Sequence, residues 1–194
     1  ALACLCAALF SIVVYGATAS RFGIPTSQSH SLIAGLTGAA IALGGANSVN
    51  VHEWMKVIYG LALSIGLGFV MGWILCKLVS ILFAAANRRR ANVFFKYAQI
   101  ASAAAMSFMH GAQDGQKFIG VLFLGVAFAN GQTSVGDAGI PIWIMLLCSA
   151  TMGIGTSVGG ERIIKSVGQS MVKLEKYQGF SADLAGAANL LLAT

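Results

Sequence analysis

The stretch Gly23-Ile24-Pro25-Thr26-Ser27-Gln28-Ser29-His30 decides how this chain is read. It separates an apolar run over 1–19 from a Gly/Ala-rich run over 31–46. The chain has 194 residues, of which 57% are hydrophobic and 9% charged, with a mean hydropathy of +0.81. A soluble domain carries about 25% charged residues, so the deficit assigns this chain to a bilayer. A second polar stretch, His110-Gly111-Ala112-Gln113-Asp114-Gly115-Gln116-Lys117, interrupts apolar sequence over 97–109 and 118–129. Backbone that leaves helical geometry at membrane depth is tolerated only where it is buried in protein or lines a cavity. Ionisable groups there are costly and read as functional. Paired interruptions in corresponding halves of an apolar chain are the sequence mark of a substrate site built from discontinuous helices, and the two stretches are therefore expected to meet in space.

Working outward, residues 1–19 have about the length that a 30 Å hydrocarbon core requires, and Arg21 ends that span. The run 31–46 predicts a helix too short to cross alone. Trp54–Ala86 predicts a long apolar helix with Trp54 and Tyr59 as interfacial anchors. Asn87–Lys96 reads as the strongest basic loop, and 130–141 as a polar loop without Lys or Arg. Residues 142–154 predict another apolar helix. Gly153–Gly160 then reads as a tight interfacial turn, 155–179 as a mixed basic segment, and Leu184 onward as the start of a last span. The fold class is all-α: a polytopic transmembrane helix bundle with broken or re-entrant helices. Its 24 glycines suit close helix packing, because small side chains let backbones approach.

The net charge of +6 comes from clusters bordering the apolar runs, Arg88-Arg89-Arg90 with Lys96 and Arg162, Lys165, Lys173 and Lys176. That is the distribution of the positive-inside rule, and it excludes a nucleic-acid partner. Alternating spans put Arg21 and both clusters on one side, the cytoplasmic side of a multi-pass protein in the cytoplasmic membrane, in contact with lipid. Cys4, Cys6, Cys76 and Cys148 lie in apolar runs and read as buried free thiols. No organic cofactor is expected, and a homo-oligomer is left open. The chain opens and stops inside apolar runs, which reads as an internal piece of a longer protein.

Pro25 lacks an N–H, and residues after it can open a helix whose first N–H groups have no intrahelical partner. Thr26, Ser27, Gln28 and Ser29 add donors beside the positive end of that helix, which makes an anion site. Plain capping by Ser or Thr is the alternative. His30 is either ligand-facing or a packing histidine. In the second stretch, Asp114 is the one acidic residue between Glu53 and Asp137. With the Gln113 and Gln116 amide oxygens it offers three ligands to a hard cation; it can instead carry a coupling proton, or pair structurally with Lys117. Lys117 can attract an anion.

These residues resemble the PiT family of inorganic phosphate transporters. Gly23–His30 is similar to the family's Pro-x-Ser-x-x-His signature, and His110–Lys117 to its His-Gly-x-Asn-Asp-x-Gln-Lys signature. Gly155-Thr156, Gly159-Gly160, Arg162–Lys165, Gly168 and Gln178-Gly179-Phe180 are similar to the segment before the family's last signature. Gln113 stands where Asn is usual, and Gln28 where Ser or Thr is usual. The family has two inverted repeats, so the resemblance divides the chain into 1–86 (second half of repeat one), 87–96 (a basic cytoplasmic inter-repeat loop) and 97–194 (first part of repeat two). It implies a cation-coupled (Na⁺ or H⁺) inorganic phosphate symporter working by alternating access. Phosphate would contact Thr26, Ser27, Gln28, Ser29 and Lys117. Gln113, Asp114 and Gln116 would hold the coupling ion, with Asp114 the Na⁺ ligand if sodium is used, and His30 and His110 are further candidates. A permease for sulfate or another tetrahedral oxyanion is the alternative; hydrogen phosphate differs in being able to donate a proton. An intramembrane hydrolase using Ser27 or Ser29 with His30 is the remote one.

Overall fold

The computed structural model describes residues 1–132 and 139–193. The described elements are α1 (Leu2–Phe22), α2 (Gln28–Gly44), a 3₁₀ turn (Ala46–Ser48), α3 (Val51–Leu82), α4 (Arg88–Ala129), α5 (Ile142–Gly159), α6 (Glu161–Lys165), a π-helical stretch (Ser166–Met171) and α7 (Lys176–Ala193). No strand occurs among the described residues. The expected polar loop over 130–141 falls at 133–138 outside the described residues. Among the described residues two helices, α1 and α3, are long and apolar enough to cross a membrane, each with mean hydropathy 2.1. A third crossing results if Ile142–Val158 and Glu161–Gly168, bent by 50°, form one span. Along the most apolar stretch of α3 only 6% is buried, and side chains such as Ile65 and Phe69 are 65% and 75% exposed. Apolar surface on that scale belongs against lipid or further protein.

Packing divides the chain into two compact units that interleave in sequence: Ala1–Asn50 with Asp114–Val172, and Val51–Gln113 with Lys173–Thr194. This grouping cuts across the sequence division into 1–86, 87–96 and 97–194. In the first unit α1 lies against α2. Ala8 is fully buried, and a Cβ on Gly35 would stand 2.8 Å from Ser11 Oγ and 3.2 Å from the Ala8 carbonyl oxygen. The two backbones meet there only because neither residue has a larger side chain. Leu5, Ile12, Leu32, Ala127, Ile144 and Cys148 are also buried in this unit. In the second unit α3 packs on α7, and Phe83, Phe94, Phe95, Tyr177 and Phe180 form an aromatic cluster with ring centroids 4.8–6.2 Å apart.

Four local expectations are corrected. The stretch 110–117 does not break its helix, because α4 runs unbroken from Arg88 to Ala129. It contains no proline; Gly111 and Gly115 each cost only about 1 kcal/mol in a helix, and the Asp114–Lys117 pair at i,i+3 favours it. Residues 88–96 are not a loop but the opening turns of α4, capped by Asn87, whose Oδ1 accepts from the N–H groups of Arg89 (3.0 Å) and Arg90 (3.4 Å). The turn expected over 153–160 moves to Gly159-Gly160, because Thr156 and Ser157 bond back to the carbonyls of Met152 and Gly153 at 2.8 Å and stay helical. Of the four free thiols only Cys148 is buried; Cys4 and Cys76 are half-buried and Cys6 is exposed.

The first break is real. Helix α1 ends in a left-handed Gly23 (φ 68°), with the Ile24 N–H bonded to the Ala19 carbonyl (2.9 Å) and the Gly23 N–H to that of Ser20 (3.2 Å). This is the Schellman arrangement, which closes a helix at a glycine. Pro25 follows, and α2 starts three residues later at Gln28, so Gln28, Ser29 and His30 belong to its first turn.

Candidate functional site

The first turn of α2 collects the polar residues of the first break. Ser27 is the N-cap: its Oγ accepts from the His30 N–H at 3.3 Å, and its carbonyl accepts from the Ser31 N–H and hydroxyl at 3.1 and 2.8 Å. Capping and ligand binding are compatible, since the N–H groups of Gln28 and Ser29, at the first helical positions, still have no partner inside the helix. The positive end of α2 adds its partial charge.

Two sides of that turn carry different chemistry. On one side lies a cavity of about 910 Å³ lined by Thr26, Ser27, His30 and Ser31, with Ser11 and Tyr15 of α1 opposite. Ala34, Gly35 and Gly38 form part of its wall, and their small size leaves the space open. On another side Ser29 meets the second polar stretch. Its hydroxyl donates to Asp114 Oδ1 at 3.1 Å, across 85 residues of sequence. Lys117 Nζ donates to both Ser29 Oγ and Asp114 Oδ1, each at 3.0 Å. The result is a closed triangle of one cation, one anion and one hydroxyl, whose formal charges cancel. The Asp114 side chain is 15% exposed and that of Lys117 44%, so the carboxylate is the more sheltered partner of the pair.

The structure thus brings Ser29, Asp114 and Lys117 into direct contact, with Thr26, Ser27 and His30 on the cavity beside them. Gln28 turns toward α1, where a Cβ on Gly16 would stand 3.0 Å from its Nε2. Gln116 is exposed. Within the second unit the Gln113 amide donates to the Leu190 carbonyl at 3.4 Å, which leaves its oxygen available. His110, exposed on α4, does not line the cavity. The pair that a hydrolase needs is not formed: among the described residues His30 meets Ser27 through its backbone N–H, and Ser29 is held by Asp114 and Lys117. Sequence reasoning missed Ser11 and Tyr15. Their four-residue spacing, one face of a helix, inside an otherwise apolar run was the available signal.

The sequence profile of the phosphate transporter family matches residues 1–194. A Bacillus subtilis (strain 168) protein named "Probable low-affinity inorganic phosphate transporter" is 40% identical over 188 residues, 97% of this chain and 56% of that protein. A protein of the same name from Rhizobium meliloti (strain 1021) is 35% identical over 188 residues, with the same 97% and 56% coverage. The chain therefore spans little more than half the length of these curated relatives. A solved structure titled "The sodium-dependent phosphate transporter" has a TM-score of 0.84 at 20% identity, covering 98% of this chain and 64% of that one. The likeness establishes a common fold.

Proposed function

The chain belongs to the phosphate transporter family, and from that premise we propose that the complete protein is a cation-coupled symporter of inorganic phosphate, multi-pass in the cytoplasmic membrane and working by alternating access. The observation that carries this reading is the contact of Ser29 with both Asp114 and Lys117 at the N-terminus of α2. Phosphate oxygens would take the hydroxyls of Thr26, Ser27 and Ser29, the first N–H groups of α2 and the Gln28 amide. Lys117, on its flexible stem, would swing from Asp114 to the anion. Asp114 would then be released to a cation, with the Gln113 and Gln116 amide oxygens as further ligands. Anion and cation each separate one half of an existing ion pair, so each makes room for the other. That supplies a physical reason for coupled rather than independent binding.

Sodium is the first cation to test, since the transporter of the same fold is titled sodium-dependent. Phosphate is favoured over sulfate because Asp114 is an acceptor 3.1 Å from Ser29; hydrogen phosphate can donate to it and sulfate cannot. The test is radiolabelled phosphate uptake by the complete protein in proteoliposomes, with Na⁺ and pH gradients imposed separately and sulfate as competitor. Uptake driven by one gradient and unaffected by excess sulfate is expected. Uptake indifferent to both gradients, or abolished by equimolar sulfate, overturns the reading.

A further inference from the structure

The C-terminal end of α1 and the start of α6 border a second polar cavity in the first unit, about 370 Å³ and open to the surface, lined by Ala17, Ser20, Arg21, Val158, Glu161 and Arg162. It shares no lining residue with the cavity at α2. A helix C-terminus ordinarily repels anions, because its last carbonyls project partial negative charge. Here those carbonyls are occupied: Ala19 by the Ile24 N–H, Ser20 by the Gly23 N–H, and Arg21 by Arg162 Nη1 at 3.0 Å. A 50° bend separates α5 from α6 at Gly160, and beyond it Arg162 reaches the end of α1.

The guanidinium of Arg162 spends one donor on that carbonyl, and a guanidinium has five. The Arg21 guanidinium has no side-chain or backbone partner among the described residues. The one carboxylate lining the cavity, Glu161, is paired with Lys165 at 2.7 Å. Two guanidinium groups thus border one cavity with their charge unneutralised by protein. Arginine's planar fork matches the oxygens of a phosphate in bidentate fashion, and its charge persists at all working pH. Counting Glu161 and Lys165 as a neutral pair, the local charge is that of Arg21 and Arg162.

We propose that this cavity is a binding site for a phosphate-class anion, held between Arg21 and Arg162. Its donors suit equally a free phosphate and the phosphodiester headgroup of an anionic lipid. The site does not rest on the transport reading, because it uses no residue of α2 and neither Asp114 nor Lys117.

The test places the complete protein in nanodiscs and treats it with phenylglyoxal, which modifies accessible guanidinium groups. Modification rates at Arg21, Arg162 and the Arg88–Arg90 run are read by peptide mass spectrometry. One arm uses phosphatidylcholine discs with and without inorganic phosphate; the other replaces phosphatidylcholine by phosphatidylglycerol without phosphate. In one arm or both, Arg21 and Arg162 should slow together relative to Arg88–Arg90, because a guanidinium engaged by the anion is withheld from the reagent. Slowing with phosphate identifies the free anion, and slowing in phosphatidylglycerol identifies the lipid. Arg21→Gln keeps the backbone carbonyl that Arg162 caps, so it removes charge without removing the cap. It should abolish the protection of Arg162, and Arg21→Lys should retain part of it. Rates that track Arg88–Arg90 in both arms, or protection of Arg162 that survives in Arg21→Gln, overturn the proposal.

Discussion

Replacing Asp114 by Asn separates the two roles its geometry allows. Its Oδ1 stands 3.0 Å from Lys117 Nζ and 3.1 Å from Ser29 Oγ. Two unit charges 4 Å apart attract by about 4 kcal/mol at an effective dielectric of 20 and about 1 kcal/mol in water. The Lys117 side chain is 44% exposed, so the pair lies between these limits, near 2 kcal/mol. Asparagine keeps one oxygen for Lys117 and Ser29, which leaves a stability loss of about 1 kcal/mol, or a few degrees in Tm. A cation in contact with Asp114 would lose far more. Removing its counter-charge costs about 3 kcal/mol or more at the same dielectric, roughly a hundredfold in affinity. The assay is radiolabelled phosphate uptake in proteoliposomes across a Na⁺ series, on the complete protein carrying Asp114→Asn, Lys117→Gln or both, with Tm measured beside each. Small Tm shifts with uptake lost in both Asp114→Asn and the double variant are expected. Uptake restored in Asp114→Asn/Lys117→Gln to within about threefold of the parent would refute the reasoning, because the non-additivity would then belong to a structural pair alone.

Ser29→Ala removes the hydroxyl that donates to Asp114 and accepts from Lys117; uptake should fall about tenfold while Tm drops by no more than a loss of about 1 kcal/mol predicts. Gly35→Ala sets a Cβ 3.2 Å from the Ala8 carbonyl and 2.8 Å from Ser11 Oγ, so α1 and α2 must part, and a loss of about 1–3 kcal/mol should appear as a lower Tm in detergent. Cysteines placed at the exposed positions Asn92 and Lys173 should both react with a membrane-impermeant thiol reagent from the cytoplasmic side; labelling from opposite sides would contradict the orientation read from the basic clusters.

Several elements were legible residue by residue. The end of α1 was written in Gly23 and Pro25, since a left-handed glycine and a missing N–H act locally. The bilayer class followed from the scarcity of charge. The two polar stretches do meet, through Ser29, Asp114 and Lys117, but the same local reasoning made both into breaks. In 23–30 proline forbids helix continuation. In 110–117 glycine merely permits it to fail, and the surrounding helix formers prevailed. Arg88–Lys96 misled in the same way, because charge density marks a membrane boundary without saying whether the backbone there is helical.

What the amino-acid sequence determined by itself was therefore whatever depends on composition and nearest neighbours: the all-α membrane class and the first break. That the two polar stretches meet was expected from the sequence and is seen; tertiary structure alone decided through which polar residues. The bond from Ser29 to Asp114 joins residues 85 apart, and the contact of Arg162 with the end of α1 spans 141. Neither separation carries a periodicity that a local pattern could encode. Both depend on how closely helices approach, as at Ala8 and Gly35, and on which way each turn of helix points once packed. Those quantities exist only when the distant segments have come together.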